Sequence, residues 1–113
     1  MLCKIFLTSL LLPFDLEGYR LIWNDEFDYD GALDSSKWYH QTVIPDGKSW
    51  YNDEVQHYTD RKLNSIASDG ILIITLKKEQ YSDNGVVKEY TSARLNSKFT
   101  FKYGIIEAVS YTH

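Results

Sequence analysis

The chain has 113 residues, which suggests one domain, and its 12 basic against 16 acidic side chains give a net charge of -4 that disfavours a nucleic-acid partner. Apolar residues make up 43%, enough for a core, and 9 Tyr with 3 Trp supply flat rings for a β-rich interior or for a binding surface. The single cysteine, Cys3, excludes an internal disulfide.

In chain order, Met1-Leu2-Cys3-Lys4 and the run "IFLTSLLLPF" come first: one positive charge, then an apolar stretch too short to span a membrane but of signal-peptide length. Residues 1–14 are therefore expected to be a signal peptide, which makes the protein secreted or periplasmic. A first strand is the competing reading, because Pro13, Phe14, Asp15 and Leu16 leave no small-x-small cleavage site.

No apolar 3.6-residue period lasts long enough for a helix, whereas short apolar or alternating runs recur between Gly, Asn, Asp and Ser clusters. The fold class is all-β. Strands are expected in "YRLIW", "KWYHQTVI", "EVQHYT", "ILIITLKK", "YTSARLNS" and "YGIIEAVSY". In "ILIITL", Ile71 and Ile73 point one way and Leu72, Ile74 and Leu76 the other, so both faces need cover and the strand should be central. Asp69-Gly70 before it and "SDNG" at residues 82–85 are turn chemistry, the second closing a hairpin. Gly104, inside a strand-like run, marks a bulge or a close approach.

Several kinds of chemistry are tested by residue spacing. Glu26, Asp28 and Asp30 alternate, so an extended chain would set them about 6.6 Å apart on one face, near the separation that paired catalytic carboxylates use. His40, His57 and His113 have no metal-ligand spacing and no cysteine partner, so a zinc site is not expected. Phosphate loops and strained Gly-x-Ser-x-Gly turns are absent from the sequence. The segment "SWYNDEVQHYTD", residues 49–60, gathers Trp50, Tyr51, Asn52, Glu54, Gln56 and Tyr58. A pyranose has apolar faces for rings and a rim of hydroxyls for acids and amides, so this mixture suits a sugar. A Tyr-rich edge strand after a polar loop would have the same composition.

The order of "LIWNDEFDYDGALDSSKW", "WYNDEVQHYTDRKLNSIASDGILIITLKKE" and "YTSARLNSKFTFKYGIIEA" resembles glycoside hydrolase family 16 over about residues 19–108, in its bacterial-type laminarinase branch. The resemblance implies a β-jelly-roll sandwich of the concanavalin A-like kind, of which residues 15–113 are an incomplete N-terminal part. It implies a secreted endo-β-glucanase that hydrolyses β-1,3 or mixed β-1,3-1,4 glucan with retention. The family's catalytic Glu-x-Asp-x-Glu or Glu-x-Asp-x-x-Glu strand lies further along than His113, so no catalytic residue is assigned here and the 113 residues alone are expected to be inactive. Glu26, Asp28 and Asp30 imitate that motif but precede the sandwich and end in Asp, so they are read as non-catalytic. A noncatalytic β-glucan-binding protein on the same scaffold is the alternative.

By the same resemblance, Asn52 and Glu54 hydrogen-bond sugar hydroxyls, Trp50 offers a stacking ring, and Arg94 reaches into the same subsites. A structural calcium in the complete domain would take the backbone carbonyls of Glu26 and Gly70, with no cofactor required for the reaction. The complete domain is expected to be a monomer whose partner is β-glucan, with no nucleic acid and no membrane span.

Overall fold

The computed structural model describes residues 2–4 and 18–111. The apolar run of residues 5–14 and His113 lie outside them, so most of the signal-peptide expectation does too. Among the described residues, the chain is all-β apart from one 3₁₀ turn at Tyr51–Asp53. The strands are β1 (Leu2–Lys4), β2 (Trp38–His40), β3 (Gln56–Tyr58), β4 (Ser65–Ser68), β5 (Ile71–Ile74), β6 (Lys77–Asp83), β7 (Val86–Ser92), β8 (Leu95–Ser97) and β9 (Val109–Tyr111). They form sheets of order β4-β5-β1-β9, β2-β8 and β3-β7-β6. No helix among the described residues is long and apolar enough to cross a membrane.

Two hairpins follow directly from turn residues. Asp69 and Gly70, with φ of 53° and 71°, connect β4 to β5, and Asn84 and Gly85, with φ of 47° and 79°, connect β6 to β7. Positive φ at both central positions matches the right-handed twist of the flanking strands, and Asp, Asn and Gly are the residues that tolerate it. β5 then lies between β4 and β1, as its two apolar faces require. Leu72 is buried, while Ile71, Ile73 and Ile74 are half-covered.

The expected strands are shortened by chain direction. "YRLIW" is irregular rather than a strand. "ILIITLKK" breaks after Ile74 into β5 and β6, which belong to different sheets, and Leu76 at the break is exposed rather than covered. "YTSARLNS" breaks at Ala93 and Arg94, and of "YGIIEAVSY" only Val109–Tyr111 pairs. Gly104 lies outside every strand, and a Cβ there would make only an ordinary contact with the Phe101 side chain at 3.4 Å, so the expected bulge or close backbone approach is not what this glycine provides.

The core joins Phe27, Leu33, Ala67 and Leu72, with Tyr29, Trp38, Ile74 and Leu95 packed against them. Gly31 and Ala67 exchange backbone bonds of 2.8 and 2.9 Å, which ties the leading segment to β4. Asp25 is buried beside this core and accepts from Trp38 Nε1 at 2.6 Å, the Phe27 amide at 3.0 Å and the Tyr29 hydroxyl at 3.2 Å. A buried carboxylate needs such donors, since leaving them unmet costs more than the bonds contribute. Phe27 has φ of 52°, which breaks the extended geometry between Glu26 and Asp28. The alternation of Glu26, Asp28 and Asp30 therefore does not become one row of carboxylates.

Candidate glycan-binding site

The strongest convergence of polar and aromatic groups is built on the 3₁₀ turn and β3. Asn52 and Asp53 have φ of 57° and 55°, a left-handed pair that few residues other than Gly, Asn and Asp adopt readily. The turn closes with the Glu54 amide donating to the Tyr51 carbonyl at 3.3 Å. The chain then runs extended, so Glu54, Gln56 and Tyr58 share one face and His57 takes the other. β3 lies parallel to β7, with His57 opposite Thr91 and Tyr58 opposite Ser92. Two residues beyond Ser92, Arg94 reaches the same face.

Hydrogen bonds fix the row. The Tyr58 hydroxyl donates to Glu54 Oε2 at 2.7 Å and accepts from Gln56 Nε2 at 2.9 Å. Burial first, then the bond to Glu54, hold the Tyr58 hydroxyl above its usual 10.0, so it remains protonated and able to donate at neutral pH. The Arg94 guanidinium lies over both the Tyr51 and the Tyr58 rings, 5.9 Å from each centroid, an arrangement in which the ring faces attract the cation. Lys88 of β7 donates to the Glu54 carbonyl at 3.0 Å and to Ser49 Oγ at 3.2 Å, pinning the loop from below.

The four expected glycan residues separate into two groups. Asn52, exposed, and Glu54 and Arg94, half-buried, border one surface. Trp50 does not present a face there, because it is only 3% exposed. Its ring meets Tyr58 edge-on at 4.7 Å, and its Nε1 donates to His57 Nδ1 at 3.4 Å. The exposed ring at this surface is Tyr51, at 54%.

A second polar cluster lies behind β7. Arg61 pairs with Glu79, stacks on the Tyr81 ring at 4.8 Å and reaches Thr91, while Asn64 Nδ2 donates to Thr91 Oγ1 at 3.0 Å and to the Thr75 carbonyl at 3.2 Å. A register irregularity sets Glu79 and Gln80 opposite Glu89 alone, a bulge in β6. This cluster holds the connection between β3 and β4, in which Arg61 and Asn64 lie.

The two expected metal donors are placed differently. Gly70 lines an open depression with Asp28, Tyr29, Asp30 and Asp69, where the Asp69 amide donates to Asp30 Oδ1 at 3.3 Å. Glu26 is half-buried two residues before that depression. Among the described residues, no group of three or more His, Cys, Asp or Glu side chains is arranged to hold a metal ion. Backbone carbonyls at Glu26 and Gly70 are hard oxygens of the type calcium takes, so the donor chemistry fits although no full ligand set is present.

No family model matches the chain. It is 36% identical over 114 residues to the Beta-glucanase of Rhodothermus marinus, a match covering 90% of this chain and 37% of that protein. Among solved structures, a LamA variant from Z. galactanivorans, in complex with laminaritriose and laminaritetraose, is 53% identical with a TM-score of 0.72, over 74% of this chain and 34% of that one. A mutant of SCLam, a non-specific endo-β-1,3(4)-glucanase of glycoside hydrolase family 16 co-crystallised with 1,3-β-D-cellobiosyl-cellobiose, is 36% identical with a TM-score of 0.63, over 70% and 32%. The chain belongs to glycoside hydrolase family 16. It spans about a third of the length of each of these three proteins.

As part of a family 16 domain, the chain supplies a portion of a β-jelly roll that includes the 3₁₀ turn, β3 and Arg94. Sequence reasoning placed Tyr51 and Tyr58 in the sugar-suited segment 49–60 without giving either a role, and it did not reach Lys88. Tyr51 and Tyr58 carried a usable signal, since Tyr58 extends the alternation from Glu54 and Tyr51 begins the polar loop. Lys88 carried none, because its link to Glu54 spans 34 positions.

Proposed function

We propose that this family 16 chain forms part of the sugar-holding wall of a secreted or periplasmic endo-β-glucanase, acting on β-1,3 or mixed β-1,3-1,4 glucan. The observation that carries the reading is the convergence of the Glu54 carboxylate, the Arg94 guanidinium and the exposed Tyr51 ring around the Tyr58 hydroxyl. Glu54 accepts from sugar hydroxyls, Arg94 donates to them through its planar fork, Asn52 does either, and the Tyr51 ring covers an apolar sugar face. Trp50 acts from inside, holding Tyr58. The named ligands of two solved relatives, laminari-oligosaccharides and a β-1,3-linked cellobiosyl glucan, support this substrate class.

Retaining hydrolysis requires two carboxyl groups about 5 to 5.5 Å apart, one a nucleophile and the other an acid/base. No Glu-x-Asp-x-Glu or Glu-x-Asp-x-x-Glu occurs within the 113 residues. The chain alone therefore binds glucan without cleaving it, and a calcium held by the Glu26 and Gly70 carbonyls in the complete domain serves structure rather than the reaction.

Calorimetric titration of the chain with laminaritetraose tests the proposal. Arg94→Ala and Glu54→Ala each weaken binding about tenfold, the value of one hydrogen bond to a charged group. Reducing-end assays with laminarin stay at background. Unchanged affinity in both variants removes the site assignment, and laminarin hydrolysis by the chain removes the claim that it is inactive.

A further inference from the structure

We propose that Tyr58 is a positioning residue, which touches no sugar itself but sets the Glu54 carboxylate and the Arg94 guanidinium in the geometry that binds one. The inference rests on the glycan reading above and concerns how that surface is held.

Glu54 ends the 3₁₀ turn on a side chain with free rotamers, so an unsupported carboxylate would lose conformational entropy each time a ligand arrived. The Tyr58 hydroxyl prevents this. It has one proton, and the incoming Gln56 amide N–H at 2.9 Å turns that proton towards Glu54 Oε2, 2.7 Å away. The bond engages Oε2, so Oε1 can face a sugar hydroxyl.

The ring that carries this hydroxyl is fixed from behind. Trp50 packs edge-on against it at 4.7 Å, and Trp50 Nε1 donates to His57 Nδ1. His57 Nε2 lies 2.8 Å from the Val86 carbonyl at the start of β7. An indole N–H only donates and a carbonyl only accepts, so His57 is neutral with its proton on Nε2. The same tautomer satisfies both neighbours, and His57 is 1% exposed. β7 thus supports Tyr58 through His57 and Trp50. On its open side the Tyr58 ring shares the Arg94 guanidinium with Tyr51, each centroid 5.9 Å from it. One side chain therefore orients the acceptor by its hydroxyl and the donor fork by its ring face.

Laminaritetraose affinity of the full 113-residue chain, measured by calorimetry for Tyr58→Phe, Glu54→Ala, Arg94→Ala and the Glu54→Ala/Tyr58→Phe double variant, tests the proposal. Tyr58→Phe keeps the ring and removes only the hydroxyl, and near-ultraviolet circular dichroism checks that the fold is retained. The expected result is about tenfold weaker binding for Tyr58→Phe, with no further loss when it is added to Glu54→Ala. Additive losses, or wild-type affinity in Tyr58→Phe while Glu54→Ala weakens binding, overturn the positioning role and leave the glycan reading intact. Absence of binding by the unsubstituted chain, or full affinity in both Glu54→Ala and Arg94→Ala, overturns the glycan reading and this inference with it.

Discussion

His40 in β2 has Nε2 2.7 Å from Ser65 Oγ, and burial holds its pKa below the usual 6.5, with Asp60 opposing. The folded state therefore takes up a proton there less readily than the unfolded chain. With a depressed folded value, the stabilisation is present above pH 6.5 and is lost as pH falls towards the folded pKa. The urea midpoint of tryptophan fluorescence is expected to fall over that window, and His40→Gln should flatten this part of the profile. An unchanged profile in the variant assigns the dependence elsewhere. Glu79 and Asp34, each held below the ordinary carboxylate range by hydrogen bonds from Arg61 and from Ser36 respectively, lose their stabilisation in the same direction at lower pH. Legibility at this scale followed sequence distance. The grouping of Glu54, Gln56 and Tyr58 was visible as alternation within five residues. The inward role of Trp50 was not, because it depends on His57 and on the Val86 carbonyl, and the His57–Val86 bond spans 29 positions.

At the scale of elements, the β6–β7 hairpin depends on Asn84 and Gly85, both at positive φ. Gly85→Ala places a Cβ in open space, yet imposes a left-handed conformation on an L side chain, at a cost of about 1 kcal/mol. Hydrogen exchange at the Tyr81 and Lys88 amides should accelerate about fivefold, while the amides of β4 and β5 stay slow. Acceleration across all strands would show that the hairpin is not an independent unit. Both turns were legible because Gly, Asn and Asp act locally. The strand ends were not. A run such as "ILIITLKK" keeps strand chemistry through Thr75 and Leu76, and only the partner geometry moves β6 into another sheet. In the leading segment, the positive φ of Phe27 is held by Asp25 and the surrounding core, a tertiary effect that overrides the alternating pattern.

Across the whole molecule, large apolar side chains remain uncovered. Tyr103 is 82% exposed, Ile106 71% and Leu76 64%, and the stretch from Phe101 to Ile106, apolar except for Lys102, is irregular and unpaired in any sheet. β-favouring segments with open backbone groups pair with other chains. The hydrodynamic radius is expected to rise with protein concentration, and the Tyr103→Lys/Ile106→Lys double variant should suppress that rise. A radius independent of concentration in the unsubstituted chain would refute the association. The fold class was legible from turn spacing and strand composition, whereas the division into three sheets was not, since it rests on pairings between distant segments.

The parallel pairing of β3 with β7 also sets a timetable. The β6–β7 hairpin closes across two turn residues, an event on the order of microseconds, whereas β3 precedes both strands and can dock only when β7 is in place. Such non-local contacts form slowly because loop closure must precede them. The surface that carries Glu54, Tyr58 and Arg94 is thus assembled late, after the scaffold on which its strand lies.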